Sequence, residues 1–453
     1  MGSIQALLNL YEKALGQKIN SAKTTLFFSN NVSDFTKETI KNLLGVAEIK
    51  EYEKYLGLPA VVGRNKKASL NYIKDSVWGK LQWWKEKLLS QAGKEVLLKV
   101  VVQAIPTFAM SCFHLRVGLC QDIEMLIQKF WWGQRGDRRK IHWKKWEVLC
   151  KPKLDIGLGF KDLCKFNEAM LAKHVWRLIH DTDSLFYKVF KAKYFPNCSV
   201  FEAKSASGSF AWKSILHSKN LIERNGHWRM GDGKKIWLFH DAWLPNSNAD
   251  RIIFHKGILA QTAKTNGLID SNSGWWNLGL IDQCFYPPDA KCIIAQPLCT
   301  TLQADTFVWT AEQNGSYSVK SGYKMLCEDQ LVGGLEIDAT VTQRKFWKGV
   351  WKLKVPGNIK HFLWKSCINS LPTKENLRKR TVIQENVCHL CSDHPEDVKH
   401  ALWGCSKVSQ VWQKRFGWLV NTQDKEGSFS DLVLSVQKNH RLLQFEQVSV
   451  CGK

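Results

Sequence analysis

No uninterrupted apolar run in this chain approaches the roughly 20 residues that a membrane-spanning helix needs. The first residues carry no secretory signal, and Glu12 with no early arginine argues against a transit peptide. Met1-Gly2 is followed by Ala6 where a myristoylation pattern wants Ser or Thr, so that lipid is not expected. No two aspartates are adjacent anywhere in the 453 residues. Cysteines at irregular spacing, without an export signal, suit a reducing compartment in which they remain thiols or hold metal. These absences lead to the expectation of an intracellular protein, with a nuclear location open, neither secreted nor partnered with a membrane.

Acidic residues are also scarce. Against 41 Asp and Glu stand 65 Lys and Arg, a formal net charge of +24. An excess of that size favours a polyanionic partner, and phosphate backbones are the commonest. The apolar share of 44% and charged share of 23% are ordinary for a globular chain. The length is enough for about three domains with real cores. The 21 tryptophans include doublets at 83–84, 131–132 and 275–276, but no shared flanking pattern accompanies them, so no repeat array is expected.

The sharpest chemical signal is Cys388, Cys391, His400 and Cys405, spaced C-x2-C-x8-H-x4-C. Three thiolates and one imidazole are a complete tetrahedral set for structural zinc. With all four positions filled, no open position remains for an activated water, so the expected cofactor is a structural Zn2+. His389 and His394 lie in the same loop and are alternative fourth ligands.

Along the chain, residues 17–20 and 25–29 read as short strands around Ser21-Ala22-Lys23, followed by a helix near 34–44 capped by Ser33 or Asp34. Helices dominate residues 66–130: Ile73, Val77, Leu81, Trp84 and Leu88 recur at helical spacing, and a second helix over 96–104 is stopped by Pro106. A third covers about 121–132. Residues 162–195 form another helical block. Two β-hairpins are expected, one pairing 227–230 with 235–240 around Gly231-Asp232-Gly233, the other pairing 306–310 with 316–319 around Asn314-Gly315. Between them the pattern weakens and a flexible junction is expected. Residues 359–367 have an amphipathic helical face, and Thr373 is placed to cap a short helix ending at Arg378-Lys379-Arg380. The last 30 residues show no motif. The fold class is therefore α+β, predominantly helical.

A dense basic stretch follows the third helix. Arg135, Arg138, Arg139, Lys140, Lys144, Lys145, Lys151 and Lys153 are interleaved with Trp131, Trp132, Trp143 and Trp146. Cations can neutralise phosphates while neighbouring rings stack on bases, so Trp143 and Trp146 are the candidate stacking residues. Arg378, Lys379 and Arg380 form a second cluster next to the zinc ligands.

Several segments, in order, resemble the plant LINE-type (non-LTR) retrotransposon reverse transcriptases. Gly16-Gln17-Lys18-Ile19-Asn20 with Lys23 and Phe27-Phe28-Ser29 resembles palm strands just after the catalytic box, and Tyr55-Leu56-Gly57-Leu58-Pro59 resembles the primer-grip turn. Ser90-Gln91-Ala92-Gly93-Lys94 and Ala104-Ile105-Pro106-Thr107 resemble thumb motifs. Gly157-Leu158-Gly159-Phe160, Phe166-Asn167 and Trp176-Arg177-Leu178 resemble the connection. Residues 317–323, Trp347, Pro356 and the Cys/His cluster resemble that family's reverse-transcriptase zinc-binding domain.

The resemblance implies a palm remnant at 1–62, a helical thumb-like region at 63–150, a connection at 151–245, a weakly patterned junction at 246–304, a zinc-binding α+β domain at 305–420 and a tail at 421–453. It also implies primer-grip roles for Leu56 and Gly57. Polymerases of this family work with two metal ions held by a Tyr-x-Asp-Asp box and an upstream Asp, and neither is in this chain. The expectation is a truncated, non-catalytic product that holds RNA or DNA largely without regard to sequence. A zinc-stabilised protein-interaction module, with a protein partner, or a remnant without function is the competing expectation.

Overall fold

The computed structural model describes residues 2–439 except 19, 21–23, 25, 27, 29–30, 47–53, 56–57, 60–65, 86–88, 134–139, 205–207, 245–251, 253–256, 271–272, 299–302, 329–336 and 421–426. The chain divides into two compact units, Met1–Ile73 and Lys74–Lys453.

The first unit contains helices α1 (Gly2–Leu15) and α2 (Asp34–Leu44) and the two-residue antiparallel strands β1 (Lys54–Tyr55) and β2 (Leu58–Pro59). Ser33 is the residue that caps α2, its hydroxyl accepting from the Thr36 N–H, and Gly45 closes the helix in the left-handed conformation. Gln17, Lys18 and Asn20 lie outside any strand, and α1 was not anticipated. Most of the expected second strand, together with Leu56 and Gly57, lies outside the described residues.

Helix α3 (Lys66–Lys85) leads into the second unit, where α4 (Gln91–Val100) is capped by Ser90 through the Gly93 N–H. A 3-10 turn at Val102–Ala104 ends before Pro106, which then serves as the N-cap of α5 (Thr107–Cys112). Pro106 thus separates two helices, as its missing N–H and fixed φ permit. Helices α6 (Val117–Trp131), α7 (Trp146–Cys150) and α8 (Leu163–His180) follow. Asn167 on α8 is fully buried and fully used: it accepts from the Leu115 N–H and donates to the Met110 and Phe113 carbonyls. One side chain replaces the water that the α5–α6 connection would otherwise need.

Ser184 and Ser209 cap α9 (Leu185–Tyr194) and α10 (Phe210–His217), and α11 (Lys219–Asn225) runs into β3 (Gly226–Arg229). The hairpins expected from the sequence do not form. β3 pairs antiparallel with β4 (Thr306–Trp309), Gly226 opposite Trp309 and Arg229 opposite Thr306. The reason is Asp305. Its buried carboxylate accepts from the backbone N–H groups of Gly231 and Gly233 at 2.7 and 2.9 Å and of Lys235 at 2.8 Å. The Gly-Asp-Gly turn therefore wraps a carboxylate from far along the chain instead of joining local strands. A Cβ on Gly231 would lie 2.2 Å from the Gln303 carbonyl oxygen, so the approach requires glycine.

The stretch expected to be a flexible junction is packed where it is described. α12 (Leu278–Cys284) and α13 (Pro287–Ile294) share a core with Ile236, Leu238, Trp243, Leu268, Trp276 and Phe285. Next comes α14 (Val319–Glu328), packed on α8: Tyr317 donates to the Ala169 carbonyl, and Tyr323 accepts from the Asp162 N–H. Gly322 allows this closeness, since a Cβ there would lie 2.1 Å from the Tyr317 oxygen.

Helices α15 (Ile337–Lys352) and α16 (Gly357–Cys367) dock on the loop after α7. The Trp351 and Trp364 indoles donate to the Lys153 and Ile156 carbonyls, and Arg344 reaches Asp155 at 2.7 Å. Then follow α17 (Lys374–Lys379), α18 (Ser406–Val420) and α19 (Phe429–Asn439). α19 lies in the supposed tail, yet Leu432, Val433 and Val436 are buried and it packs on α15 and α16. The α+β, mostly helical class holds, with two short sheets as its β content among the described residues.

Candidate metal centre and the adjoining basic face

Two local devices bring Cys388, Cys391, His400 and Cys405 together. The first is a tight loop. Val387 bridges Pro395, the Cys388 N–H donates to the His394 carbonyl at 2.9 Å, and the Ser392 N–H returns to the Cys388 carbonyl at 2.9 Å. Ser392 takes a positive φ of 60° to close it. The second is a single π turn over His400–Gly404, in which the Cys405 N–H donates to the His400 carbonyl at 3.0 Å. Residues five apart on an α-helix point about 140° away from each other. The wider π turn brings them nearer one face, which is how π-bulges often serve functional sites. Asp397 accepts from the His400 N–H at 2.6 Å and the Trp412 indole donates to the Leu402 carbonyl, pinning the start and the middle of the turn.

The four donor atoms lie within 4.8 Å of one another. Cys388 and Cys405 sulfurs are 4.0 Å apart, and the Cys391 sulfur is 3.3 Å from His400 Nε2. Tetrahedral zinc with bonds of about 2.3 Å to sulfur sets sulfurs about 3.8 Å apart, so the spacing fits the ion. Cys388 and Cys405 are buried, while Cys391 and His400 are partly exposed. The Asp393 N–H, pointing at the Cys391 sulfur, lowers that thiol, whereas burial raises Cys388. Of the alternative histidines, His394 is exposed, stacks on His400 at 5.7 Å and groups instead with Cys391 and Asp393. His389 is exposed and in neither group.

The basic residues divide. Lys140 and Lys145 are exposed, and Lys144 is half-buried, its ammonium lowered by burial and then by Arg380. Arg135, Arg138 and Arg139 lie outside the described residues. Trp143 is half-buried. Trp146 is buried and its ring lies over Phe160 at 5.5 Å and 14°, so it is committed to the core and does not offer a face to a base. That corrects the stacking role expected of it. Arg378, Lys379 and Arg380 are exposed, with Lys379 paired to Glu375 at 2.8 Å. The Arg380 guanidinium donates to the His142 carbonyl at 3.5 Å, a long bond that nonetheless sets the two basic segments side by side. A separation of 238 residues left no local signal for it.

No local pattern foretells the charged hub that joins this region to α4. Glu95, buried, meets Lys99 at 2.6 Å, Lys153 at 2.8 Å and His361 of α16 at 2.8 Å. Burial pushes its carboxyl up, but the hydrogen bonds from His361, Lys153 and Lys99 outweigh burial and hold it at about 2.

A sequence profile described as zinc-binding in reverse transcriptase matches residues 317–412, a span containing all four donors. An Arabidopsis thaliana protein provisionally named a ribonuclease H protein is 26% identical over 386 residues, 82% of this chain and 59% of that protein. An uncharacterized mitochondrial protein of Arabidopsis thaliana is 41% identical over 145 residues, 31% of this chain and 93% of its own length. The chain thus spans about three fifths of the first relative and nearly all of the second. Among the described residues no helix is long and apolar enough to cross a membrane.

Proposed function

The chain belongs to the retrotransposon reverse-transcriptase-related proteins, and from that premise we propose that it is a non-catalytic nucleic-acid-binding part of a LINE-type reverse transcriptase, tied at its C-terminal end by one structural zinc. The LINE assignment rests on the ordered motifs from residue 16 to 405. Cys388, Cys391, His400 and Cys405 hold the ion, which supplies a cross-link and no open coordination position. Bound zinc makes the loop and the π turn one rigid piece, and it carries α17 with Arg378 and Arg380 at its end.

The observation that carries the nucleic-acid reading is the Arg380–His142 contact, which supports one continuous basic face from two distant segments. Lys140, Lys145, Arg378 and Arg380 on that face are exposed cations that neutralise successive phosphates. Such contacts position a strand and read no bases, so binding is largely sequence-independent for RNA and DNA. Polymerisation needs paired carboxylates for two metal ions, and the absence of any adjacent aspartates supports a role without that chemistry.

The test is a salt titration of oligonucleotide affinity. Lys140→Ala/Lys145→Ala/Arg378→Ala is expected to shallow the plot of log affinity against log salt by about two to three units, near one per lost phosphate contact. An unchanged slope in a folded triple variant makes the face a solvated surface and favours the protein-interaction alternative.

A further inference from the structure

Two thiols outside the Cys/His cluster face each other where α6 packs on α8. Cys120 lies one helical turn before Glu124 on α6, and Cys164 is the second residue of α8. The helices are tied at this level, since the Glu124 carboxylate accepts from the Leu163 N–H at 2.8 Å. Beside that bond the Cys120 and Cys164 side chains are hydrogen-bonded to each other, and both are free thiols. No spacing in the sequence announces the pair, because its members come from different helices.

The two sulfurs differ in what they can do. Cys120 is fully buried, whereas Cys164 is partly exposed. The hydrogen bond from Cys120 is the largest influence on Cys164 and lowers its thiol, outweighing burial and the Asp162 and Glu124 carboxylates. The same bond raises Cys120, and burial adds to it. A place in the first turn of the 18-residue α8 also favours the Cys164 thiolate. The neighbouring thiols are unlike it, for burial raises both Cys150 and Cys327. An accessible thiolate is the group that a peroxide oxidises first. A second thiol in contact resolves the product before it oxidises further.

We propose that Cys164 and Cys120 form an oxidative modification site, at which a hydroperoxide converts the facing thiols into a disulfide between α8 and α6. The Cys164 sulfur attacks one peroxide oxygen and the O–O bond breaks. The other oxygen departs with the thiol proton, as water or an alcohol, and Cys164 is left as sulfenic acid. The Cys120 sulfur then attacks the Cys164 sulfur and displaces its hydroxyl, which leaves as water with the Cys120 proton. In all, two thiols lose two hydrogens and two electrons, and the peroxide takes them up. A dithiol reductant reverses the change by exchange. The bond closes a loop that contains α7, so oxidation constrains the chain between α6 and α8. In a reducing compartment the pair stays as thiols until the oxidant rises.

The experiment treats the folded full chain with hydrogen peroxide, removes the oxidant, alkylates the remaining thiols in denaturant and maps the digest by mass spectrometry. Dimedone, added in parallel, traps sulfenic acid. The variants are Cys120→Ala and Cys164→Ser, with circular dichroism as the check of fold. The wild-type digest is expected to hold a peptide cross-linked through Cys120 and Cys164, with both thiols lost and both returned by dithiothreitol. In Cys120→Ala the dimedone adduct at Cys164 is expected to rise several-fold over wild type, because no thiol resolves the sulfenic acid. In Cys164→Ser, Cys120 is expected to remain open to alkylation. A wild-type map in which both thiols survive the peroxide overturns the proposal. So does one in which Cys164 pairs with Cys150 or Cys327, or carries sulfinic acid without the cross-link. The wild-type map decides by itself where a variant fails to fold.

Discussion

Replacing Glu95 with Gln tests how the end of the chain that carries the Cys/His cluster is joined to α4. The carboxylate is buried between α4, Lys153 and α16, and three cationic or potentially cationic side chains converge on it. Glutamine keeps the shape and removes the charge, leaving the Lys99 and Lys153 ammonium groups facing each other. The fall of the carboxyl from 4.5 to about 2, at about 1.4 kcal/mol for each tenfold, is about 3 kcal/mol of stability. Breaking buried ion pairs by removing one partner costs a similar about 3 to 5 kcal/mol. Because the folded value is depressed, this stability is present above the unfolded value and is lost as pH falls through the folded one. Urea denaturation followed by tryptophan fluorescence should show a constant gap between wild type and Glu95→Gln from pH 8 to 5, narrowing from pH 4.5 toward 2. Equal midpoints at pH 7, or a gap that widens in acid, would refute the reasoning.

Cys391→Ser should reduce bound zinc from one per chain to below detection by elemental analysis, and a strong chelator acting on the wild type should raise hydrogen exchange across residues 388–405 to the same degree. Gly157→Ala should cost about 3 kcal/mol by urea denaturation, because its Cβ would sit 1.9 Å from the Lys151 carbonyl oxygen and only a backbone shift relieves that. Asp305→Asn should cost about 2 kcal/mol, since an amide has one acceptor oxygen for three N–H groups that now share two. An unchanged denaturation midpoint would show that the Gly-Asp-Gly turn holds without the clamp.

Where the chain's instructions are local, the residues alone were enough. Ser33 and Thr373 each cap the helix that follows, because a hydroxyl reaches an N–H three residues on whatever the rest of the protein does. Helical periodicity placed α3, α4, α6 and α8, and ligand spacing singled out the four metal donors, since a Cys-x2-Cys turn converges over a few bonds. Local reading failed where a distant group supplied the partner. The Gly-Asp-Gly and Asn-Gly turns look like hairpin turns, but the three N–H groups around the first go to Asp305, 70 to 74 residues away, and β3 takes β4 as its neighbour. Trp146 sits among lysines in sequence yet faces inward, because Phe160 arrives to cover its ring. The structure groups His400, which the spacing had already put forward, with the three thiols through one π turn, a backbone variation without a residue signature. Composition and spacing determined the basic character and the candidate metal donors, which depend on residue type and short range, and the ordered motifs carried the family resemblance. Tertiary structure alone decided which basic segments touch and which carboxylates are engaged, because those depend on contacts that chain order does not encode locally.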